Sequence, residues 1–213
     1  ISGKKKLESI YEKYKSEDHK PIEFWSEILK VMGIKFVNKS KFSISIPQSG
    51  PLIIVSNHPF GIIDGLILCS IVSKFRDDFR IIAHETLKIL PELERFILPI
   101  EFKDESTRTK KNNVRTTILA RNHLLDGGLV IIFPAGGVST AKNIKSDATD
   151  ADWKTFVAKL VHQTKSDVLP IFFDGKNGML FHFFATKLKS QTLKYSSYVY
   201  ETRKKMGKEI EIY

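Results

Sequence analysis

The amino-acid sequence predicts an α/β fold in which a single central mixed sheet has helices on both faces. Two short, strongly apolar runs, Leu52 to Val55 and Leu129 to Phe133, have the length and composition of buried strands. A long helix is expected from Thr109 to Leu125, and Gly127-Gly128 ends it just before the second run. A helix, a glycine stop and a buried strand that follow one another directly are typical of an α/β layer.

Other segments extend this alternation of helices and strands. Pro21 opens a helix that ends at Met32 and is either an amphipathic lid on a membrane or a helix packed on the core. Alternation at Phe42, Ile44 and Ile46, followed by a turn at residues 48–51, predicts a hairpin with the first buried run. Further helices are expected from just after Asp64 to about Phe75, from Trp153 to Thr164 and from Ser190 to Met206, and further strands at Arg80 to Ala83, Phe96 to Ile100 and Val168 to Phe173.

The chain of 213 residues has the length of one globular unit. Within it we expect an N-terminal helical segment at residues 1–40, which packs on or leads into the core, and a main domain at residues 41–213. The sequence starts at Ile1, without methionine, and ends inside an alternating pattern, so we expect it to be part of a longer protein.

Composition excludes several classes of protein. Hydrophobic residues make up 42% and charged residues 27%, which sets disordered and fibrous proteins aside. The formal charge of +10 favours an anionic partner, either a membrane leaflet or a nucleic acid. No uncharged apolar stretch of about 18 residues occurs, so any membrane contact made by this segment is expected to be peripheral. The one cysteine, Cys69, is predicted to be a small buried hydrophobe, and the Phe-rich pieces at residues 172–173 and 181–184 to be buried strand or core.

Chemically useful side chains follow the first buried run directly. Asn57 and His58 stand at its end, and Asp64 lies six positions after the histidine, beyond Pro59 and Gly61. Strand ends are where α/β sheets build their sites. A histidine there can take a proton from a hydroxyl, and a carboxylate on its other ring nitrogen would stabilise the imidazolium that forms. Spacing alone leaves open whether the pair is catalytic or a structural hydrogen bond.

A second unusual segment, Phe133-Pro134-Ala135-Gly136-Gly137-Val138-Ser139, follows the other buried run. Its consecutive glycines would let backbone N–H groups approach a ligand oxygen, as contact with an oxyanion or a phosphate requires. Two glycines after a strand are equally compatible with an ordinary turn.

Four short blocks follow one another over more than half the chain, from about Leu52 to Phe173. The blocks are Asn57-His58 with Asp64, Leu98-Pro99-Ile100, Phe133-Pro134 with Gly136 and Ser139, and Leu169-Pro170-Ile171. In their order and rough spacing they resemble the glycerolipid acyltransferases, the lysophosphatidate acyltransferase-like superfamily. The first and third are most similar to the bacterial hemolysin-like, ornithine-lipid-type branch, as are Trp153 to Leu160 and Asn177 with Leu180-Phe181.

This resemblance implies transfer of a fatty acyl group from a thioester, on acyl carrier protein or coenzyme A, to the hydroxyl of a lyso-lipid in membrane lipid biosynthesis. It implies that His58 is the general base and Asp64 its partner, with no covalent enzyme intermediate, metal or cofactor beyond the thioester co-substrate. The lack of a Gly-x-Ser-x-Gly elbow and of metal-ligand spacing agrees with this. The positions expected to bind substrate are Asn57, Pro59, Gly61, Lys103, Phe133, Pro134, Gly136, Gly137 and Ser139.

Three departures from the family pattern concern the histidine–aspartate spacing and the acceptor. Five residues separate His58 from Asp64 where the usual block has four, so a longer turn has to bring them together. Ala135 and Val138 stand where the family commonly has Glu and Arg, and Glu101-Phe102-Lys103 follows the second block where an Arg is usual. Because the charges that would hold a glycerol phosphate are largely missing, a lyso-aminolipid such as a lyso-ornithine lipid is expected ahead of 1-acylglycerol-3-phosphate.

Basic residues gather at the start of the long helix, where they either contact lipid headgroups or an acidic acyl carrier protein, or form a solvated face. They are Lys103, Arg108, Lys110, Lys111 and Arg115. The expected location is peripheral, on the anionic cytoplasmic face of the bacterial inner membrane. Two other classes stay open, namely a non-catalytic lipid-binding protein on the same fold and a nucleic-acid-binding protein. Only the net charge supports the latter, so no nucleic-acid partner is expected.

Overall fold

The computed structural model describes residues 2–41, 43–101, 106–141, 146–187 and 191–213. Its strands are β1 (Lys35–Asn38), β2 (Leu52–Ser56), β3 (Phe79–His84), β4 (Ile97–Ile100), β5 (Leu129–Ile132), β6 (Asp167–Ile171) and β7 (Glu209–Ile212). Five of them form a central sheet in the order β4-β3-β5-β2-β6, and β1 pairs with β7 in a smaller sheet. Every strand pair within these two sheets is parallel.

Helices cover both faces of the central sheet. They are α1 (Ser2–Lys15), α2 (Phe24–Met32), α3 (Ile62–Val72), α4 (Thr107–Leu125), α5 (Phe156–Thr164), α6 (Met179–Lys187) and α7 (Gln191–Lys205), with 3-10 turns at Pro21–Glu23, Glu85–Ile89 and Pro91–Phe96. The first three helices pack together on one face, and α4 and α5 pack on the other. Among the described residues, no helix has both the length and the apolar composition needed to cross a bilayer.

The two central strands are apolar at every position because both of their faces are covered. In β2, Leu52 and Ile54 point into the core under α2 and α3, whereas Ile53 and Val55 point into the core under α4 and α5. The residues of β5 alternate between the same two cores. This two-residue period explains why short continuous apolar runs mark the centre of a parallel sheet.

The predicted α/β class, with a central sheet flanked by helices, is confirmed, but two details of the sheet are corrected. Its five strands are all parallel rather than mixed. The hairpin predicted before the first buried run is wrong, because residues 43–47 form no strand and both edges of β2 are occupied by β5 and β6. Phe42 lies outside the described residues.

The smaller sheet pairs the first strand of the chain with the last. Along β1 and β7, Lys35 pairs with Glu209 and Asn38 with Ile212. An antiparallel bridge from Phe173 to Ile212 then joins β7 to the segment that follows β6. Of the Phe-rich pieces, Phe173 and Phe181 are buried as predicted, Phe181 on α6 and not on a strand. The prediction is wrong for Phe172 and Phe183, which are both about half exposed. The domain boundary after residue 40 stays a prediction.

Candidate active site

The sheet topology brings the two distant blocks together. Strands β2 and β5 are parallel neighbours, with Val55 opposite Ile132, so both end at the same edge of the sheet. His58 follows β2 and Phe133 follows β5, and their rings stack with centroids 3.9 Å apart and planes 25° from parallel. The backbone joins the blocks as well, since the N–H of Ser139 donates to the carbonyl oxygen of His58 at 2.9 Å.

His58 and Asp64 lie in direct contact, and we call this pair the dyad. Nδ1 of His58 is 3.0 Å from Oδ2 of Asp64, whose side chain is fully buried, while the histidine side chain is 18% exposed. Burial raises the pKa of Asp64 above its ordinary value, against the opposing effects of His58 and of the backbone N–H groups of Phe60 and Gly61. With Nδ1 facing the carboxylate, Nε2 is the ring nitrogen left to exchange a proton with a substrate.

The extra residue between the dyad partners is accommodated by a tight turn. Gly61 has a φ of 79°, in the range that favours glycine, and stands just before α3. Asp64 is the third residue of that helix, and its Oδ2 accepts hydrogen bonds from the N–H groups of Phe60 at 2.9 Å and Gly61 at 3.0 Å. The carboxylate thus caps the helix N-terminus and turns back to the histidine at the same time.

Asp150, which the sequence did not single out, holds this arrangement from a distant loop. Its Oδ1 accepts hydrogen bonds from the backbone N–H of His58 at 3.2 Å and from the Ser139 hydroxyl, and its Oδ2 accepts one from Trp153 Nε1 at 2.9 Å. Because Asp150 is 92 residues from His58 in the chain, no local sequence pattern links the two residues. The sequence feature that could have pointed to Asp150 is the nearby Trp153, because it belongs to a stretch that resembles the family.

Other residues predicted to bind substrate surround the dyad in different ways. The Asn57 amide is engaged by Phe173, since Nδ2 donates to the backbone oxygen at 2.9 Å and Oδ1 accepts from the backbone N–H at 2.8 Å. Gly136 has a φ of 70° and donates its N–H to the carbonyl oxygen of Phe133, which closes a turn. Gly137 is exposed, and no atom lies within 4 Å of the position where a side chain would begin, so ligand atoms can approach its backbone.

The remaining predicted positions complete the list. Pro59 is buried, and the carbonyl oxygen of Pro134 accepts a hydrogen bond from the N–H of Lys154 at 3.0 Å. Lys103 lies outside the described residues. In the part of the chain that the structure covers, no cluster of three or more His, Cys, Asp or Glu side chains is arranged to hold a metal ion. The substrate contacts of all these positions stay predictions.

Comparisons with known proteins agree with this geometry. Residues 8–207 match a family model described as Acyltransferase. A lyso-glycine lipid O-acyltransferase from Phocaeicola vulgatus is 30% identical over 154 residues, which are 71% of this chain and 52% of that protein. One from Bacteroides thetaiotaomicron is 27% identical over 177 residues, which are 82% of this chain and 58% of that protein. The chain therefore spans a little over half the length of these two relatives.

The fold is also similar to that of a solved enzyme. The crystal structure of the 1-acyl-sn-glycerophosphate (LPA) acyltransferase PlsC from Thermotoga maritima aligns with a TM-score of 0.50 and 16% identity. The alignment covers 90% of this chain and 64% of that one. At this identity the likeness concerns the fold alone. Since the family model covers nearly the whole sequence, the chain belongs to the acyltransferase family.

Proposed function

We propose that the chain transfers a fatty acyl group from a thioester, on acyl carrier protein or coenzyme A, to the hydroxyl of a lyso-lipid. The observation that carries the proposal is the dyad, an imidazole held at 3.0 Å by a fully buried carboxylate at the edge of the sheet where the family's blocks meet. A neutral imidazole so held can act as a general base. The names of the two relatives, both lyso-lipid O-acyltransferases, support the same reaction class.

The proposed reaction passes through His58. Its Nε2 takes the proton of the acceptor hydroxyl while the oxygen attacks the thioester carbonyl carbon, which gives a tetrahedral oxyanion and an imidazolium. Asp64 stabilises that imidazolium through Nδ1. The intermediate then collapses, the carbon–sulfur bond breaks, and the imidazolium returns its proton to the leaving thiolate. The exposed backbone at Gly137 is our candidate for contact with the oxyanion.

Purified protein and labelled acyl thioesters test the reaction. His58→Ala is expected to lower the transfer rate by roughly 10²- to 10⁴-fold, the usual contribution of a general base. His162→Ala is the matched control, because this histidine is exposed on α5 and its loss should leave the rate unchanged. Full transfer by His58→Ala would refute the mechanism. Absence of turnover in the wild-type chain with every donor would favour the non-catalytic lipid-binding alternative.

For the acceptor we propose a lyso-lipid with an amino-acid headgroup, in preference to one with a phosphate. Glu101 stands at the end of β4, where the family commonly has an Arg, and it is 7% exposed. Its carboxylate accepts hydrogen bonds from Asn112 Nδ2 and Thr109 Oγ1, so this position presents a buried, internally bonded acid. A phosphate dianion beside it would be repelled.

The relatives' names make lyso-glycine lipid the first acceptor to test, with lyso-ornithine lipid second. A panel of these two and lysophosphatidate, offered with acyl carrier protein and coenzyme A thioesters, separates both acceptor and donor. We expect transfer to an aminolipid acceptor to exceed transfer to lysophosphatidate by at least tenfold in kcat/KM. The reverse order would contradict the acceptor proposal and leave the reaction class intact.

We further propose that α4 and α5 face an anionic membrane, as suits a peripheral enzyme of the bacterial inner membrane. These two helices carry six Lys and Arg residues, five in α4 and one in α5, and no Asp or Glu. Three aliphatic side chains on α4 are also at least half exposed, namely Val114, Ile118 and Leu125. Basic and aliphatic side chains that share one exposed helix surface suit the headgroup region of an anionic leaflet.

Co-sedimentation with vesicles tests the membrane surface without any need for activity. A triple change of Lys111, Arg115 and Arg121 to Gln should weaken binding to anionic vesicles about fivefold per charge, at about 1 kcal/mol each. Equal charge removal from exposed lysines of α1, at Lys5, Lys6 and Lys13, is the control. Equal weakening by both triple variants would contradict the proposed surface.

A further inference from the structure

A buried lysine lies beside the dyad, and the reaction proposed above gives it no role. Lys205, the last residue of α7, is 9% exposed. Its ammonium lies 4.7 Å from the centre of the Phe60 ring, 2.9 Å from Asn177 Oδ1 and 3.4 Å from Glu201 Oε2. Taking an ammonium out of water costs more free energy than one carboxylate partner commonly returns. Stabilisation of the folded state is therefore a poor explanation for a buried ammonium at Lys205.

Lys205 reaches the dyad through Phe60. The phenylalanine ring is 5% exposed and is confined between the ammonium and Gly175, where an added side-chain carbon would fall 2.7 Å from the tip of the ring. The backbone N–H of the same residue donates to Asp64 Oδ2 at 2.9 Å. Because the ring and the N–H belong to one residue, holding the ring also fixes the direction of this hydrogen bond.

The positive charge of Lys205 also bears on the ionisation of the Asp64 carboxyl group. The Asp64 carboxylate is fully buried, which raises its pKa. His58 has to be neutral when it accepts a proton, so it offers no full positive charge before the reaction. His58, from the end of β2, lowers the pKa of Asp64, and Asp64 in turn raises the pKa of Lys205, from α7.

The surroundings of Lys205 act on its pKa in both directions. Burial lowers its pKa, whereas Glu201 and Asp64 raise it and Lys204 lowers it. His182, from α6, is the other titratable group that interacts with it, and burial lowers the pKa of this histidine. Burial therefore opposes the two carboxylates, which favour the ammonium form of the lysine.

We propose that Lys205 is a positioning residue for the dyad. From behind Phe60 its ammonium keeps Asp64 ionised beside neutral His58 and fixes the turn whose N–H groups bind that carboxylate. For its effect on rate the inference rests on the proposed acyl transfer. Its effect on the ionisation of Asp64 does not depend on that function.

The test compares Lys205→Met with Lys204→Met. Lys204 is the matched control, because it is the neighbouring residue, lies 3.9 Å from the same Glu201, and has a side chain that is 46% exposed. Two readouts are taken against pH, the free energy of unfolding in urea and kcat. In the wild type the unfolding free energy is expected to fall as pH rises through the raised pKa of Asp64, because the folded state holds that proton more tightly.

Lys205→Met should extend this fall to higher pH by about one pH unit and move the acid limb of kcat by the same amount. Lys204→Met and Lys205→Arg should leave both curves in place. In an Asp64→Asn background, Lys205→Met should add no pH shift. Unfolding curves of Lys205→Met that superimpose on the wild type across the pH range would overturn the proposal.

A companion variant decides the matter if Lys205→Met does not fold. Lys205→Gln removes the positive charge and keeps a polar group for Asn177 and Glu201, so both curves should again move to higher pH, and curves that do not move would overturn the proposal. A chain that transfers no acyl group but shows the unfolding shifts would refute the proposed function and support the role of Lys205. Normal transfer without the shifts would do the opposite.

Discussion

Replacing Asp150 with alanine should lower both the stability and the transfer rate, because one carboxylate holds three groups around the dyad. The loss removes hydrogen bonds from the His58 backbone N–H, the Ser139 hydroxyl and Trp153 Nε1. The indole is half exposed and can bind water instead, but Ser139 is 3% exposed and keeps an unmet hydrogen bond. At about 1–3 kcal/mol for the buried Ser139 hydroxyl and about 1 kcal/mol for the part-buried His58 N–H, the expected loss is roughly 2–4 kcal/mol.

In a chain of this size that loss corresponds to a fall in Tm of about 5–15 °C. The rate should fall by about 10²-fold, since His58 loses its backbone anchor and small misplacements of a catalytic group are costly. Calorimetry and the thioester transfer assay measure the two effects. Asp152→Ala is the control, because Asp152 is exposed two positions along the same loop. If the Asp150 and Asp152 variants match in Tm and rate, Asp150 does not hold the site.

Three other changes probe the turn and the core. Asp64→Asn should abolish the fall in unfolding free energy with rising pH, because it removes the carboxyl group whose pKa is raised by burial. Urea titrations of this variant from pH 4 to 7 that keep the wild-type slope would contradict the prediction. Gly61→Ala should cost about 1–2 kcal/mol, since φ is 79° and the new carbon would lie 3.3 Å from Val138 Cγ2, while Gly137→Ala, at an open position, should leave Tm unchanged. Cys69 is fully buried, so a thiol reagent should label it only after unfolding; rapid labelling of the native chain would contradict that burial.

Elements that carry their own local signal were predicted well. The helix expected from Thr109 to Leu125 is α4 (Thr107–Leu125), because a glycine with a φ of 84° at residue 127 marks its end. The apolar runs at Leu52 and Leu129 are the two interior strands, since only strands buried on both faces are apolar at successive positions. Cys69 is buried as predicted.

Elements that depend on a distant partner were missed or misassigned. β1 and β7 pair residues that are 174 positions apart, as Lys35 with Glu209, so neither strand has a local turn to reveal it. The alternating segment at Ile44 and Ile46 has the period of a strand, yet both edges of β2, the partner predicted for it, are paired with β5 and β6. Alternation of apolar and polar residues indicates which face of a strand would be buried, but it does not indicate whether a neighbouring strand is available to pair with it.

The sequence by itself determined the fold class, the family and the positions of His58 and Asp64, because buried strands, glycine stops and block spacing are local properties of the chain. Only the tertiary structure shows that His58 and Asp64 lie 3.0 Å apart although five residues separate them in the sequence. The turn at Gly61 brings them together, and the Asp64 carboxylate accepts hydrogen bonds from the N–H groups of Phe60 and Gly61 in that turn. The tertiary structure also placed Asp150 and Lys205 around that turn. These contacts join strand ends, a loop and the last helix, and such long-range packing follows from how the elements assemble.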